Sequence, residues 1–585
     1  RFPHLTMRSL MSSHSFRRRT FSWILTALCL GVPVGPLAAQ ESGPFDILFR
    51  GGSVMDGTGN PWFRADVAVR DGKIVAVGHL PGATAARVID ASGLVVAPGF
   101  IDIHSHADDT GPDSVYIRSD NPARRAAPNL VAQGITTVVV NHDGRSQWPI
   151  RDQKAEMEAK GIGPNVMLMV GHGTVRSLVM EDDVQRPATP EEVQQMRALV
   201  RQGLEEGAWG MSAGLEYVPG RWSTTDEVAS LARELVPFDG VYISHERSEG
   251  ADPMWYWPSQ DAPGPPTLLD AVQETIEIGR VSGARVVASH IKAKGAHYWG
   301  SGAAVIQLIQ RARDEGIRVW ADQYPYTTSG TDGNTVLVPR WALQGPDENN
   351  PAENLEMHLR EPEQAAKIRQ DIRHEIRRRG GADQVLIFEY PNEDYVGRNL
   401  QDVALERGVD PVEMAILLQV EGDRERRGGG RMRGFSMSEL DVDMYAAQPW
   451  VATTTDGGIA LPGPRSVHAR FYGTFPRKIR RYALERGALS VEAAVRSATS
   501  LPAQIMGLRD RGMIREGMAA DLVVFDLEEI RDMATFFEPH QYPEGIHHVL
   551  VGGEFVVEDG EITWALPGQV IPSTRKGPAP RTEDR

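Results

Sequence analysis

The chain has a single cysteine, Cys29, among 585 residues. One cysteine excludes an internal disulfide, and its place near the N-terminus leaves the body of the protein without a thiolate ligand or nucleophile. Positive charge is also in deficit. The 62 Lys and Arg stand against 78 Asp and Glu, a formal charge of −16. Non-specific nucleic-acid binding needs clustered Lys and Arg to neutralise phosphates, so that class is excluded. Long apolar runs are scarce. One covers residues 21–30 and is soon interrupted by Gly31, Pro33 and Pro36, which argues against a stable membrane anchor. Arg17-Arg18-Arg19 precedes it and Leu37-Ala38-Ala39 offers a small-residue cleavage site after it, the layout of an export signal. Arg18-Arg19-Thr20-Phe21 also resembles a twin-arginine signal. Residues 1–39 are therefore expected to direct export to the periplasm or beyond, by the general or the twin-arginine route.

What is present suits a loop-rich globular protein of more than one domain: 41% hydrophobic residues, 59 Gly and 39 Pro. Residues 45–98 read as short strands, with Gly51-Gly52 and Asp71-Gly72 as turns. From residue 99 the rhythm changes. Apolar runs at 99–103, 136–140, 165–170, 210–213, 241–243, 285–288, 318–321 and 451–454 alternate with helical stretches such as 190–206, 225–235 and 303–315. Eight such units predict an α/β fold, a closed (β/α)₈ TIM-like barrel over residues 99–509. The span exceeds a plain barrel of roughly 250 residues. The excess lies between strands seven and eight, where residues 332–448 read as an inserted subdomain near the barrel mouth. It contains a charged helix at 363–379 and a glycine-rich run, 428–434, that reads as a mobile loop. Strand-like segments return at 520–525, 546–551 and 554–557, so 510–565 is expected to join 45–98 in a small β-sandwich. Residues 572–585, rich in Pro and charge, read as a disordered tail.

Candidate chemistry gathers at the ends of the barrel strands. His104 and His106 follow strand one at a spacing that points two side chains to the same side. His245 ends strand five, His290 ends strand six and Asp456 follows strand eight. All five fall at the C-terminal face of a barrel, where such folds carry their sites. Neutral imidazoles and carboxylates suit one or two Zn²⁺ ions, whose bound water has a pKa of roughly 7. Asp456 is placed to take the proton of that water and deliver it to a leaving nitrogen.

Several longer runs carry a resemblance. They are Ala97-Pro98-Gly99-Phe100-Ile101-Asp102-Ile103-His104-Ser105-His106, Gln133-Gly134-Ile135-Thr136-Thr137-Val138-Val139-Val140 and Ser244-His245-Glu246-Arg247-Ser248-Glu249, followed by Tyr472-Gly473-Thr474-Phe475-Pro476-Arg477, Ala519-Ala520-Asp521-Leu522-Val523-Val524-Phe525-Asp526 and Gln541-Tyr542-Pro543-Glu544-Gly545-Ile546. With them the chain resembles the amidohydrolase superfamily, in its D-aminoacylase (N-acyl-D-amino-acid deacylase) branch, from about residue 45 to 570. The resemblance implies metal-dependent hydrolysis of a linear amide, with an N-acyl amino acid or dipeptide as the small-molecule substrate. It further implies that Lys292, Tyr324 or Tyr326, and Arg470 hold the substrate carboxylate and scissile carbonyl. Arg247, beside His245, is a further candidate. Members of this branch carry a metal-binding cysteine after strand two in a Gly-Asn-Cys-Gly run. Here the sequence reads Asn141-His142-Asp143-Gly144, so Asp143 stands in its place. Other branches use a carboxylated lysine at strand four, where this chain has Gly214-Leu215-Glu216-Tyr217. The bridging ligand is thus Asp143, Glu216, or absent. A carboxylate is harder than a thiolate and broadens the range of acceptable metals. Alternative substrates are D- or isoaspartyl dipeptides and cyclic amides of the hydantoinase type. A non-catalytic periplasmic binding protein would be expected to have lost Asp456 or a histidine, and the chain keeps them all.

Overall fold

The structure, a computed structural model, describes residues 44–109, 116–330, 334–463 and 466–573. The export signal at 1–39, and residues 574–585 of the tail read as disordered, lie outside the described residues.

Strands β1 (Phe45–Val54), β2 (Phe63–Arg70) and β3 (Lys73–Gly78) form an antiparallel meander. The β2–β3 turn is Asp71-Gly72, both at positive φ, a turn whose twist matches that of the strands it joins. The β1–β2 register slips between Phe49 and Gly52. That bulge divides the other edge of β1 between two partners. Residues 45–50 pair in parallel with β4 (Ala85–Asp90), and Ser53 and Val54 pair with β5 (Val95–Pro98).

The barrel follows directly. Its strands are β6 (Phe100–Asp102), β7 (Ile135–Val140), β8 (Asn165–Leu168) continued by β9 (Val170–Gly171), β10 (Gly210–Gly214), β11 (Val241–His245), β12 (Arg285–Ala288) and β13 (Val319–Gln323). After the insertion, which contributes β14 (Val385–Glu389) and β15 (Arg431–Gly434), β16 (Val451–Thr453) completes the set. All barrel pairings are parallel. β8 pairs with β7 and β9 with β10, so the two pieces fill one barrel position, interrupted at Met169. Every residue of β7 and of β10 to β13 is buried, as expected of parallel strands covered on both faces. Two features close the seam. Ser105 bridges Gly457 in parallel, and Asp102 accepts from Thr454 Oγ1 at 2.6 Å and from Thr455 N at 3.0 Å. The surrounding helices begin where their caps predict. Thr189 and Thr267 form capping boxes for Pro190–Glu205 and Leu268–Ser282, and Gly283 ends the latter in the left-handed region.

The chain then returns to the first sheet with β17 (Leu522–Phe525), β18 (Ile546–Val551), β19 (Glu554–Glu558) and β20 (Glu561–Ile562). β17 pairs antiparallel with β5, giving nine strands in the order β20-β19-β18-β17-β5-β1-β2-β3, with β4 on β1. The N- and C-terminal segments therefore share one continuous sheet. It turns back on itself, since Lys73 bridges Ala519. Phe49, Val67, Ile74, Leu522 and Leu550 fill its interior, while Val523, Phe525 and Val549 belong to the barrel's core.

The insertion has its own core, including Leu355, Ile368, Val385, Leu400, Met414 and Met432. Its charged helix runs Pro362–Arg378. The glycine-rich run is not the mobile loop the sequence suggested. Gly428 to Gly430 are buried, a Cβ on Gly429 (φ +69°) would lie 1.8 Å from the Leu418 carbonyl oxygen, and residues 431–434 are strand β15. Glycine serves close packing there. No described helix is long and apolar enough to cross a membrane.

Candidate active site

The turn after β7 shapes the site. Asn141 and Asp143 adopt positive φ, as do His290 and Asp456, so four non-glycine residues at one barrel mouth sit in a costly backbone region. Surrounding contacts hold the turn there. Asn141 Nδ2 donates to Gln153 Oε1 at 2.9 Å and to the Met169 carbonyl at 2.8 Å, and Ser212 Oγ donates to the Asn141 carbonyl at 2.5 Å. Two strand-end glycines give it room. A Cβ on Gly214 would lie 2.4 Å from the Asp143 carbonyl oxygen, and one on Gly171 would lie 2.6 Å from that of Gly144.

Five expected ligands and Asp143 converge. His104 Nε2 lies 3.6 Å from Asp143 Oδ1 and 3.7 Å from Asp456 Oδ1. His106 Nε2 lies 3.0 Å from Asp456 Oδ1 and 3.7 Å from Asp143 Oδ2. On the other side of Asp143, His245 Nδ1 and His290 Nε2 are 2.8 Å apart, at 3.5 and 3.9 Å from Asp143 Oδ1. Ligand atoms about 2.0–2.1 Å from a tetrahedral ion stand about 3.3 Å from one another, the range seen here. His104, His106 and Asp143 form one group of converging donors, and Asp143, His245 and His290 form another. Asp143 is common to both, the position of a bridging ligand. His104 Nε2 and Asp143 Oδ1 are buried without a hydrogen-bond partner among the described residues. Buried polar atoms left in that state are expensive, and a shared cation satisfies both. The residues therefore fit a divalent metal.

Glu216 stands elsewhere. Its Oε2 is 3.1 Å from Nε2 of His245, the nitrogen remote from Asp143, and its Oε1 accepts from Met254 N at 2.6 Å. It orients His245 and leaves the bridging position to Asp143. His104 is anchored in the same way. Its Nδ1 lies 2.5 Å from Ser289 Oγ, which donates to Asp322 at 2.8 Å. Asp109 Oδ2 lies 2.8 Å from His106 Nδ1. The electrostatics agree with a cation site. Burial works against a charged His245, yet Asp143 and Glu216 outweigh it and push the imidazole up to about 10. Burial would raise Asp456, but Arg470, His290 and His106 pull its carboxyl down to about 2, so it stays ionised.

The cluster opens into a cavity of 330 Å³ whose wall includes Lys292, Tyr324 and Arg470. Arg470 Nη1 is 3.1 Å from Asp456 Oδ2, and its guanidinium lies over the Tyr324 ring at 4.6 Å. Lys292 Nζ contacts Glu249 and is 2.8 Å from His290 Nδ1. Burial raises the Tyr324 phenol to about 12, so it remains a proton donor. Two expected residues are not on this wall. Tyr326 packs against His468 and Phe536, with its hydroxyl 3.4 Å from the Ala469 carbonyl, because the chain turns at Pro325. Arg247 is consumed by structure. It donates to Glu274 at 2.8 Å and to the carbonyls of Arg221 and Ser223 at 3.0 Å. Sequence reasoning missed several wall residues, among them His142, Arg145, Tyr217 and Glu249. His142 stacks on His104 with centroids 4.1 Å apart. Glu249 closes the run that begins at Ser244, which was its one visible signal.

Comparison with known proteins agrees with this geometry. A model of the amidohydrolase family matches residues 87–249 and 361–557. D-aminoacylase of Alcaligenes xylosoxydans xylosoxydans is 32% identical over 562 residues, 92% of this chain and 100% of that protein. N-acyl-D-glutamate deacylase of the same organism is 32% identical, over 87% of this chain and 93% of that one. Among solved structures, a D-aminoacylase crystal structure matches with a TM-score of 0.68 at 31% identity, covering 90% of this chain and all of that one. N-acyl-D-glutamate deacylase from Bordetella bronchiseptica, solved with zinc and a phosphonate that mimics the tetrahedral intermediate, matches with a TM-score of 0.67 at 31% identity over 91% of this chain and all of that one. With the barrel, the converging donors and similarity along nearly the whole length in hand, we conclude that the chain belongs to the amidohydrolase family.

Proposed function

We propose that the protein is a metal-dependent hydrolase of linear amides, acting on N-acyl derivatives of D-amino acids. The observation that carries this reading is the placement of Asp456, ionised, between His106 of the donor cluster and Arg470 on the cavity wall. The names of its relatives supply the substrate class. Zinc, present in the B. bronchiseptica deacylase, suits the nitrogen and oxygen donors of His104, His106, Asp143, His245 and His290. When bound, such an ion lowers the pKa of a water and polarises a carbonyl. Asp456 accepts the proton of the attacking water and returns it to the leaving nitrogen. Arg470 and Lys292 hold the substrate carboxylate, and Tyr324 donates a hydrogen bond to the carbonyl oxygen as charge builds there. Glu249 and Asp456 keep the two cations in place until substrate arrives.

Hydrolysis of N-acetyl-D- and N-acetyl-L-amino acids by metal-reconstituted protein, with metal content measured on the same sample, tests the reading. Metal-dependent release of free D-amino acid is the expected result. Bound metal without turnover of any N-acyl amino acid rejects it. We also propose that residues 1–39 direct export, on the strength of the arginine cluster, apolar run and cleavage site. N-terminal sequencing of protein recovered from the periplasm should then begin near Gln40.

A further inference from the structure

The catalytic cavity does not end at the donor cluster. At Met254, Asn334 and Arg379 it adjoins a second cavity of 570 Å³, walled largely by the inserted subdomain. Arg340, Arg378, Arg379, Arg426 and Arg427 line this annex. Among the described residues, Glu375 and Glu425 oppose them on its wall. A surplus of positive charge in one concavity runs against a chain whose formal charge is −16.

Part of that charge is structural. Arg378 is buried and donates to Asp252 and to the carbonyls of Met254 and Tyr256. Glu375 pairs with Arg378 and Arg379, and Arg426 meets Glu389 at 3.0 Å. Arg340 and Arg427 are exposed, and Arg340 forms no ion pair with any described carboxylate. Arg379 belongs to both cavities, and its Nε is fixed by Glu375 at 2.7 Å. Guanidinium groups present parallel N–H donors that match carboxylate and phosphate oxygens, and a concave protein wall concentrates their field.

We propose that the annex binds a second anionic group, a carboxylate or a phosphate, carried by the part of the substrate remote from the scissile amide. The preferred substrates are then amides that end in a distant anion, on a dicarboxylic acyl chain or at the C-terminus of a peptide extension. This inference rests on the amide-hydrolase reading of the neighbouring site.

The test uses N-acyl-D-alanines in matched pairs. One series carries acyl chains of increasing length ending in a carboxylate, a phosphate or a methyl ester. The other extends the amino-acid side by a residue ending in a carboxylate or an amide. Both kcat/KM and calorimetric affinity are measured on the metal-loaded, full-length protein. Charged members of at least one series are expected to exceed their neutral partners roughly tenfold or more, with the gain shrinking as salt rises. The larger gain identifies which anion is preferred. Arg340→Gln and Arg427→Gln, both substitutions of exposed residues, are expected to remove most of it. Equal values for charged and neutral members overturn the inference, and so does a preference that survives both substitutions. If no amide is hydrolysed, the proposed function falls, and the charge-dependent part of the measured affinity alone decides whether the annex binds anions.

Discussion

A single carboxylate sets the character of the metal site. Asp143, which by the resemblance stands where related sequences carry a cysteine, lies within 3.5–3.9 Å of all four converging histidines. An oxygen bridge makes the centre harder than a thiolate bridge. Cobalt-loaded Asp143→Cys is expected to show a thiolate-to-metal charge-transfer band that cobalt-loaded wild type lacks; identical spectra would place the side chain outside the coordination sphere. Asp456→Asn keeps the shape but loses the proton acceptor. Turnover should fall by roughly 10²–10⁴-fold with the unfolding temperature unchanged, and near-wild-type kcat would sink the mechanism. Lys478 offers a test away from the metal. It is fully buried, its Nζ has no hydrogen-bond partner among the described residues, and burial pushes its pKa down to about 7, only partly offset by Asp443. Between about pH 7 and the ordinary lysine value of 10.5 the unfolded chain binds the proton that the folded chain lacks, so stability rises with pH in that window. Lys478→Met should therefore be more stable than wild type by a few kcal/mol near pH 7, with the gain fading toward pH 10.5. Urea unfolding at several pH values measures it. At this scale the convergence of these side chains was legible because a histidine or aspartate closing an apolar run has a predictable direction. Tyr326 and Arg247 were misjudged, and His142, Arg145 and Tyr217 overlooked, because loop paths decide which way those side chains face.

Elements were easier to read than their edges. Parallel strands buried on both faces leave continuous apolar runs such as Ile135–Val140, and the capped helices between them carry amphipathic spacing. The barrel was visible for that reason. The break at Met169 that splits one strand into β8 and β9 was not, and neither was β4, whose alternately exposed face leaves little apolar signal. Glycine misled in one place. The run at 428–434 looked mobile, yet those glycines let backbone pack on backbone. The same logic gives a prediction for β10. In Gly214→Ala the new methyl collides with the Asp143 carbonyl, so the turn after β7 must shift. Metal affinity should drop roughly tenfold or more, on the scale of losing a ligand-orienting contact, while far-ultraviolet circular dichroism stays the same. Competition with a chromophoric chelator reads the affinity, and an unchanged value would mean the turn does not position Asp143.

At the scale of the molecule, metal and barrel support each other. The donors come from the end of β11 and the loops after β6, β7, β12 and β16, so an ion at Asp143 ties together strands from both sides of the ring. Chelation leaves the buried Asp143 Oδ1 and His104 Nε2 without a partner among the described residues. The unfolding temperature should fall by several degrees on metal removal and recover on reconstitution, because a ligand that binds only the folded state stabilises it. An unfolding temperature indifferent to metal would separate folding from loading.

The pairing of β5 with β17 has a consequence for biosynthesis. Pro98 lies opposite Leu522, so an early strand finds its partner roughly 400 residues later. At a synthesis rate of about 5–20 residues per second, the edge of the first sheet waits on the order of half a minute or more before it is covered. Throughout that time it presents unpaired backbone that a neighbouring nascent chain could adopt. A circular permutant that begins at the β17 segment and runs on into β1 would complete the sheet before the barrel emerges. Comparison of its soluble yield with that of the natural chain order would show how much this delay matters to the cell.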